Sequence, residues 1–191
     1  MKTKMTLSKK QYEYIDESIL DTFEAAGINS FPINVFELCH KLRIQIVKYS
    51  EYSIPLNEYS EDAFNFFNPN KQEFIIAYND SIESARLNFT IMHEIGHIQL
   101  GHNKSMLSEE AKEDEANVFA QKALAPEGVI LKLDLKTDEE ISRVFQVSIP
   151  CARVITKILN NVLKYPSLRK KEINSPITAL FEESINAYIN K

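Results

Sequence analysis

Apolar positions along the first part of the chain recur with a helical spacing. Between residues 8 and 26 they fall at Tyr12, Ile15, Ile19, Leu20 and Phe23, and Gly27 ends the run. That predicts an amphipathic helix with one face on a core. "PINVFELCHK" (32–41) has the rhythm of a second, shorter helix. The period then drops towards two: "IQIVKYS" (44–50) reads as a strand. "DAFNFFNPNKQEFIIAYND" (62–80) holds two apolar runs around the turn residues Asn68, Pro69, Asn70 and Lys71, which predicts a hairpin and, with the first strand, a small antiparallel sheet.

After residue 80 the strand signals fade. Ser81 is placed to cap a helix reaching about Leu100 and closed by Gly101, and Ser108 to cap another that ends at Leu124 before Pro126. Shorter helices are predicted at 127–133, 138–145 and 149–163. Pro166 and Ser167 open a polar linker that includes the basic "LRKK", and 176–189 reads as a last amphipathic helix. Its stripe of Ile177, Leu180, Phe181, Ile185 and Tyr188 predicts core packing, with docking to a partner or a second copy as the alternative. The fold class is therefore α+β: the small sheet packed on a helical core, with a mostly helical C-terminal half. The boundaries expected are a core at 1–126, a helical subdomain packed on it at 127–165, and a linker with a C-terminal helix at 166–191.

At 191 residues, 44% apolar and 26% charged, the chain is long enough to bury a sizeable core. A net charge of -5 excludes a global attraction to nucleic acid or anionic membrane. No stretch approaches the roughly 18 apolar residues a membrane helix needs. "MKTKMTLSKKQYEY" has lysines but no apolar centre, so no signal peptide is expected. Cys39 and Cys151 stand outside any CxxC spacing and read as reduced thiols, which makes the cytoplasm the expected location.

The chemistry concentrates in "NFTIMHEIGHIQLGH" (88–102), which holds three of the four histidines. On a helical wheel Ile91, Ile95 and Ile98 fall on one side, and Phe89, Met92 and Leu100 roughly opposite. Between them runs a strip of Thr90, His93, Glu94, His97 and Gly101. A helix apolar on two sides is buried, and buried imidazoles and carboxylates need partners. Histidines bonded to backbone or carboxylates would meet that need; a metal ion satisfies the whole strip at once. His93 and His97 are four residues apart, so both rings reach one small cation such as zinc. Glu94, about 100° around the helix, sits beside the ion as a general base for water. Gly96 leaves room for a close approach by another backbone.

Spacing leaves the third ligand open. His102 does not complete the HExxHxxGxxH pattern, because Leu100 and Asn103 stand where glycine and histidine are required, and just past Gly101 it is expected at the surface. The following helix offers Glu109, Glu110, Glu113, Asp114 and Glu115. Glu113 lies nearer the apolar face of Ala116, Ala120 and Ala123 than Glu115 does, but each acid could equally be a solvated charge at a helix start.

"RLNFTIMHEIGHIQLGH" followed by "EDEANVFAQKALAP" resembles the ImmA/IrrE family of metallopeptidases, closely over residues 74–126 and in outline to about Leu163. The resemblance implies a zincin-like core and a gluzincin-like site, with His93, His97 and Glu115 as ligands, Glu94 as base, and Asn117 and Arg86 in support. The chain departs from the family's usual Leu-Leu-Met-Pro ending, having Ala123-Leu124-Ala125-Pro126. The implied activity is a zinc endopeptidase with one ion per chain, manganese being the alternative. Its implied substrate is a helix-turn-helix repressor of a mobile element or stress regulon. Tyr52, Tyr59, Tyr78 and His102 are available to stabilise the oxyanion, and none is singled out. A repressor-sequestering protein that does not cut, and a DNA-binding regulator, are the rival readings.

"TDEEISRVFQVSIPCARVITKIL" (137–159) itself has a helix-turn-helix rhythm, with its turn at Gln146 and Val147. The turn lacks glycine, and Arg153 and Lys157 are nearly all the positive charge on the second helix. The expected role is packing on the core or recognising the protein substrate, not direct contact with nucleic acid.

Overall fold

The computed structural model describes residues 7–53 and 55–190. Residues 1–6, the start of the N-terminal stretch in which no signal peptide is expected, lie outside the described residues.

Helix α1 (Lys9–Ala26) starts at a capping box. Ser8 accepts from the Gln11 backbone while the Gln11 side chain accepts from Ser8. Gly27, with φ 61°, ends it in the left-handed conformation that glycine adopts without strain. Helix α2 (Val35–Lys41) begins later than its apolar rhythm suggests. Asn34 is the residue whose side chain caps the first amides, accepting from Phe36 and Glu37.

Strands β1 (Gln45–Lys48), β2 (Ala63–Asn68) and β3 (Glu73–Tyr78) form a sheet of order β1-β3-β2. The hairpin β2–β3 is antiparallel, with Asn65 opposite Ile76. β1, however, runs parallel to β3, with Ile46 opposite Ile76. The sheet is mixed, a correction to the all-antiparallel expectation. Alternating side chains reveal a strand but not its direction, and here residues 49–62 carry the chain across to the far edge of β3. β2 is left as an edge strand beside α3 (Ser84–Gln99).

The N-cap of helix α3 is Glu83 and not Ser81. The Ser81 amide and hydroxyl both bond Asn79 Oδ1, which forms the turn before the helix. Gly101, with φ 68°, closes it, and Ser108 caps α4 (Glu109–Leu124). Ile91, Met92 and Ile95 on α3, and Phe119, Ala120 and Ala123 on α4, are fully buried. Each large side chain among them contributes about 1.5–3 kcal/mol by leaving water. That burial fixes the rotation of α3 and leaves its histidine strip facing away from the core. The neighbour admitted by Gly96 is the Phe119 side chain on α4, whose atoms lie 3.1–3.2 Å from where a Cβ would stand. Lys122 ties α4 to α1, 2.8 Å from Asp16.

The same core continues into α5 (Glu127–Lys132), α6 (Asp138–Phe145) and α7 (Ile149–Lys164) through Ile130, Ile141, Phe145 and Ile155. Gln146, at φ 54°, turns the chain between α6 and α7 where glycine would be usual. Its carbonyl accepts from Asn88 on α3.

Residues after Pro166 are helical where a linker was expected, forming α8 (Pro166–Ile173). Its polar composition conceals it because none of its residues is fully buried. Backbone packing holds its end: a Cβ on Gly128 of α5 would stand 2.2 Å from the Glu172 carbonyl. The last expected helix is two, α9 (Pro176–Leu180) and α10 (Glu182–Ile189), broken at Phe181. Phe181 is fully buried, edge-on to Phe23 at 5.7 Å, and Ile177 and Ile185 join the same core. No described helix is long and apolar enough to cross a membrane.

Candidate metal centre

A cleft of about 470 Å³ opens between edge strand β2 and helices α3 and α4, lined among others by Phe64, Asn65, His93, Glu94, His97 and Glu113. Because α3 buries its isoleucine face, the rings of His93 and His97 project together into this cleft, with Nε2 atoms 2.9 Å apart. The Glu113 carboxylate on α4 meets both, with Oε2 3.3 Å from His93 Nε2 and Oε1 3.2 Å from His97 Nε2. Two imidazole nitrogens and one carboxylate thus converge within 4.8 Å of one another. This is the nitrogen and oxygen donor set of a three-ligand zinc site, so the residues fit the ion that the sequence implies.

Electrostatics suit that role. Burial, with smaller contributions from His93, His102 and Lys112, pulls His97 from 6.5 down to about 3, so its ring is neutral at physiological pH. A neutral imidazole is the form that can donate a lone pair to a cation.

Glu94 lies next to this set, buried at 8% exposure, and Asn65 Nδ2 donates to its Oε2 at 2.6 Å. Burial pushes the Glu94 carboxyl up, and the Asn65 hydrogen bond and the nearby His93 act against that rise. A carboxylate with raised proton affinity, lining a cleft, is suited to take a proton from water. Arg86 at the cleft wall bonds Asp62 Oδ2 through Nε (3.0 Å) and Nη2 (2.6 Å), pinning the start of β2 to α3. Asn117 also lines the cleft.

Two residues are not where the sequence suggests. Glu115, the third ligand implied by resemblance, faces away from the histidine pair. Its carboxylate is buried at 3% exposure, accepting from Gln11 Nε2 at 2.8 Å and lying 3.0 Å from His102 Nε2. Two residues along a helix turn a side chain by about 200°, so Glu113 and Glu115 cannot face the same point, and the structure brings Glu113 to the pair. His102, expected at the surface, is 4% exposed. The left-handed turn at Gly101 folds the chain back, and the His102 amide bonds the His97 carbonyl at 3.0 Å, placing its ring behind His97 with their Nδ1 atoms 2.9 Å apart. None of Tyr52, Tyr59, Tyr78 and His102 lines the cleft.

Sequence reasoning missed Asn65 altogether. The one signal for it was a polar residue at an inward position of a strand otherwise rich in phenylalanine.

A helix bearing two histidines and an acid, a third donor on the next helix, and an edge strand across the cleft make up a candidate metal centre. The chain belongs to the metallopeptidase family of the IrrE N-terminal-like domain, whose profile matches residues 37–153. No curated protein matches the chain. Among solved structures it is similar in fold to a Mycobacterium tuberculosis transcriptional regulator. The TM-score is 0.55 at 18% identity, over 82% of this chain and 49% of that one. The chain thus spans about half the length of that protein.

Proposed function

We propose that the protein is a zinc-dependent endopeptidase that cleaves a helix-turn-helix transcriptional repressor. The observation that carries this reading is the convergence of His93, His97 and Glu113 beside a buried Glu94 held by Asn65. His93, His97 and Glu113 hold the ion, zinc being favoured over manganese by two imidazoles in a set of three donors. When bound, zinc supplies Lewis acidity that polarises a carbonyl and makes water near it more acidic. Glu94 accepts the proton of the attacking water at its carboxylate and passes it to the leaving amine. Asn65 fixes the direction of that carboxylate, and Arg86, through Asp62, fixes the strand that carries Asn65.

A protein substrate follows from the peptidase family, and its identity as a repressor rests on resemblance. The pairing of Arg153 with Asp138 at 3.3 Å and the burial of Ile155 and Leu159 support a packing or protein-recognition role for α6 and α7 over contact with DNA. Cys39 and Cys151 are unpaired thiols raised by burial to about 12 and about 11, which supports a cytoplasmic setting.

The test is elemental analysis of tag-free protein, followed by co-expression with a helix-turn-helix protein encoded beside its gene. Wild type carries about one zinc and cuts. Glu94→Gln keeps the zinc and does not cut, and His97→Ala loses both. A Glu94→Gln protein that cuts at the wild-type rate rules out the mechanism, and one that binds the repressor with no cleavage by wild type favours sequestration.

A further inference from the structure

Behind the metal-facing groups runs a chain of polar contacts, exposed at Ser8 and buried at Glu115 and His102, that no catalytic step uses. Ser8 donates to Gln11 Oε1 through both its amide and its hydroxyl, each at 2.9 Å. With its oxygen so occupied, Gln11 turns Nε2 to Glu115 Oε1 at 2.8 Å. Glu115 Oε2 lies 3.0 Å from His102 Nε2, and His102 Nδ1 lies 2.9 Å from His97 Nδ1. The His102 and Glu115 side chains are 3% and 4% exposed, so water does not complete these bonds. A buried acid and imidazole bonded to each other, with no task of their own, are costly features to keep.

Proton counting along this chain gives it a direction. The Glu115 carboxylate only accepts, so the proton between it and His102 sits on His102 Nε2. If that is the only proton on the His102 ring, its Nδ1 is bare and accepts. The proton between the two rings then belongs to His97 Nδ1. That leaves His97 Nε2 without a proton, and this is the atom 2.9 Å from His93 Nε2 and 3.2 Å from Glu113.

We propose that Glu115 and His102 are positioning residues that select the Nδ1–H tautomer of His97, aiming its Nε2 lone pair at the point shared with His93 and Glu113. This rests on the reading of that point as a metal site. An outer partner on the second nitrogen of a ligating histidine fixes ring and tautomer and raises the ligand's basicity. Here that partner is a second histidine backed by a buried carboxylate, which is anchored in turn to the first turn of α1.

The test uses full-length protein labelled with ¹⁵N-histidine. Long-range proton–nitrogen spectra are recorded with and without zinc, and zinc affinity is measured by chelator competition. Zinc-free wild type is expected to show His97 protonated on Nδ1, and zinc to shift Nε2. Glu115→Gln, whose amide can face His102 either way round, is expected to mix the His97 tautomers and to weaken zinc binding about 10- to 100-fold while one zinc still binds at saturation. Wild-type spectra with the proton on His97 Nε2 overturn the proposal without any variant having to fold. So does a Glu115→Gln protein with wild-type tautomer and affinity, in which case the metal reading stands alone. Complete loss of zinc in Glu115→Gln, with retention in Glu113→Gln, overturns it by making Glu115 a ligand. A wild type that binds no zinc fails at the metal reading itself and takes the proposal with it.

Discussion

Asn65, on the edge strand, donates its side-chain amide to Glu94 Oε2 at 2.6 Å, although 29 residues separate the two in the chain. The bond fixes the direction of the carboxylate at the cleft. Asn65→Ala should lower turnover about 10- to 100-fold, the range seen for loss of an outer partner that orients a site residue. Zinc content should not change, because Asn65 touches none of the metal-facing groups. Cleavage of the co-expressed repressor, measured beside metal content, checks this, and a parallel loss of zinc would refute it.

Glu113 and Glu115 are two residues apart and face opposite ways, and their substitutions should separate. Glu113→Ala removes the single oxygen donor of the set and should abolish stoichiometric zinc binding at micromolar metal. Its carboxylate is half exposed, so the metal-free fold should be little affected. Elemental analysis and a thermal melt of the metal-free protein decide the matter.

Gly96 is closed in by the fully buried Phe119. Gly96→Ala gains about 0.5–1 kcal/mol in helix propensity but forces a core ring to move, which costs about 1–3 kcal/mol. The two terms leave a net destabilisation of roughly 0–2.5 kcal/mol, visible as a lower urea midpoint. Phe119→Leu in the same chain should recover part of it, since contacting sites do not add. Additive losses would mean that the two do not share the strain.

Hydrogen bonds from the Lys136 and Thr137 amides hold the Glu140 carboxyl below its ordinary 4.5. A depressed value in the fold means that the unfolded chain binds its proton first as pH falls. The stabilisation is therefore complete above about pH 4.5 and disappears as pH drops through the folded value. Urea unfolding of wild type and Glu140→Gln should differ at pH 7 and converge towards pH 3. A constant gap across that range would show that the cap does not titrate.

Much of this architecture is legible in the sequence because its determinants are local. The capping residues Ser8, Ser108, Thr137 and Ser148 sit at helix starts that apolar spacing also marks, and His93, Glu94 and His97 fall on one face by period alone. What was illegible depends on contacts between distant segments. The direction of β1 is set by where residues 49–62 take the chain. Helix α8 has no buried face to betray it, and the final helix breaks at Phe181 because that ring is needed in the core. The site follows the same division. The wheel kept Glu113 and Glu115 both open, and only the docking of α4 on α3 separates them. Asn65 acquires meaning from the sheet edge, and His102 from the left-handed turn at Gly101.

The groups of the candidate metal centre all come from α3 and α4, which are consecutive in the chain and joined by residues 100–108. Closing so short a loop costs little entropy compared with gathering ligands from distant segments. Ion capture therefore need not wait for the completed fold: a chain emerging from the ribosome as far as the end of α4 already carries His93, His97 and Glu113. A metal held there would act as a nucleus, drawing two helices together before the six helices of residues 127–190 exist. Refolding in the presence of zinc should be faster than without it, and Glu113→Ala should refold at one rate in both.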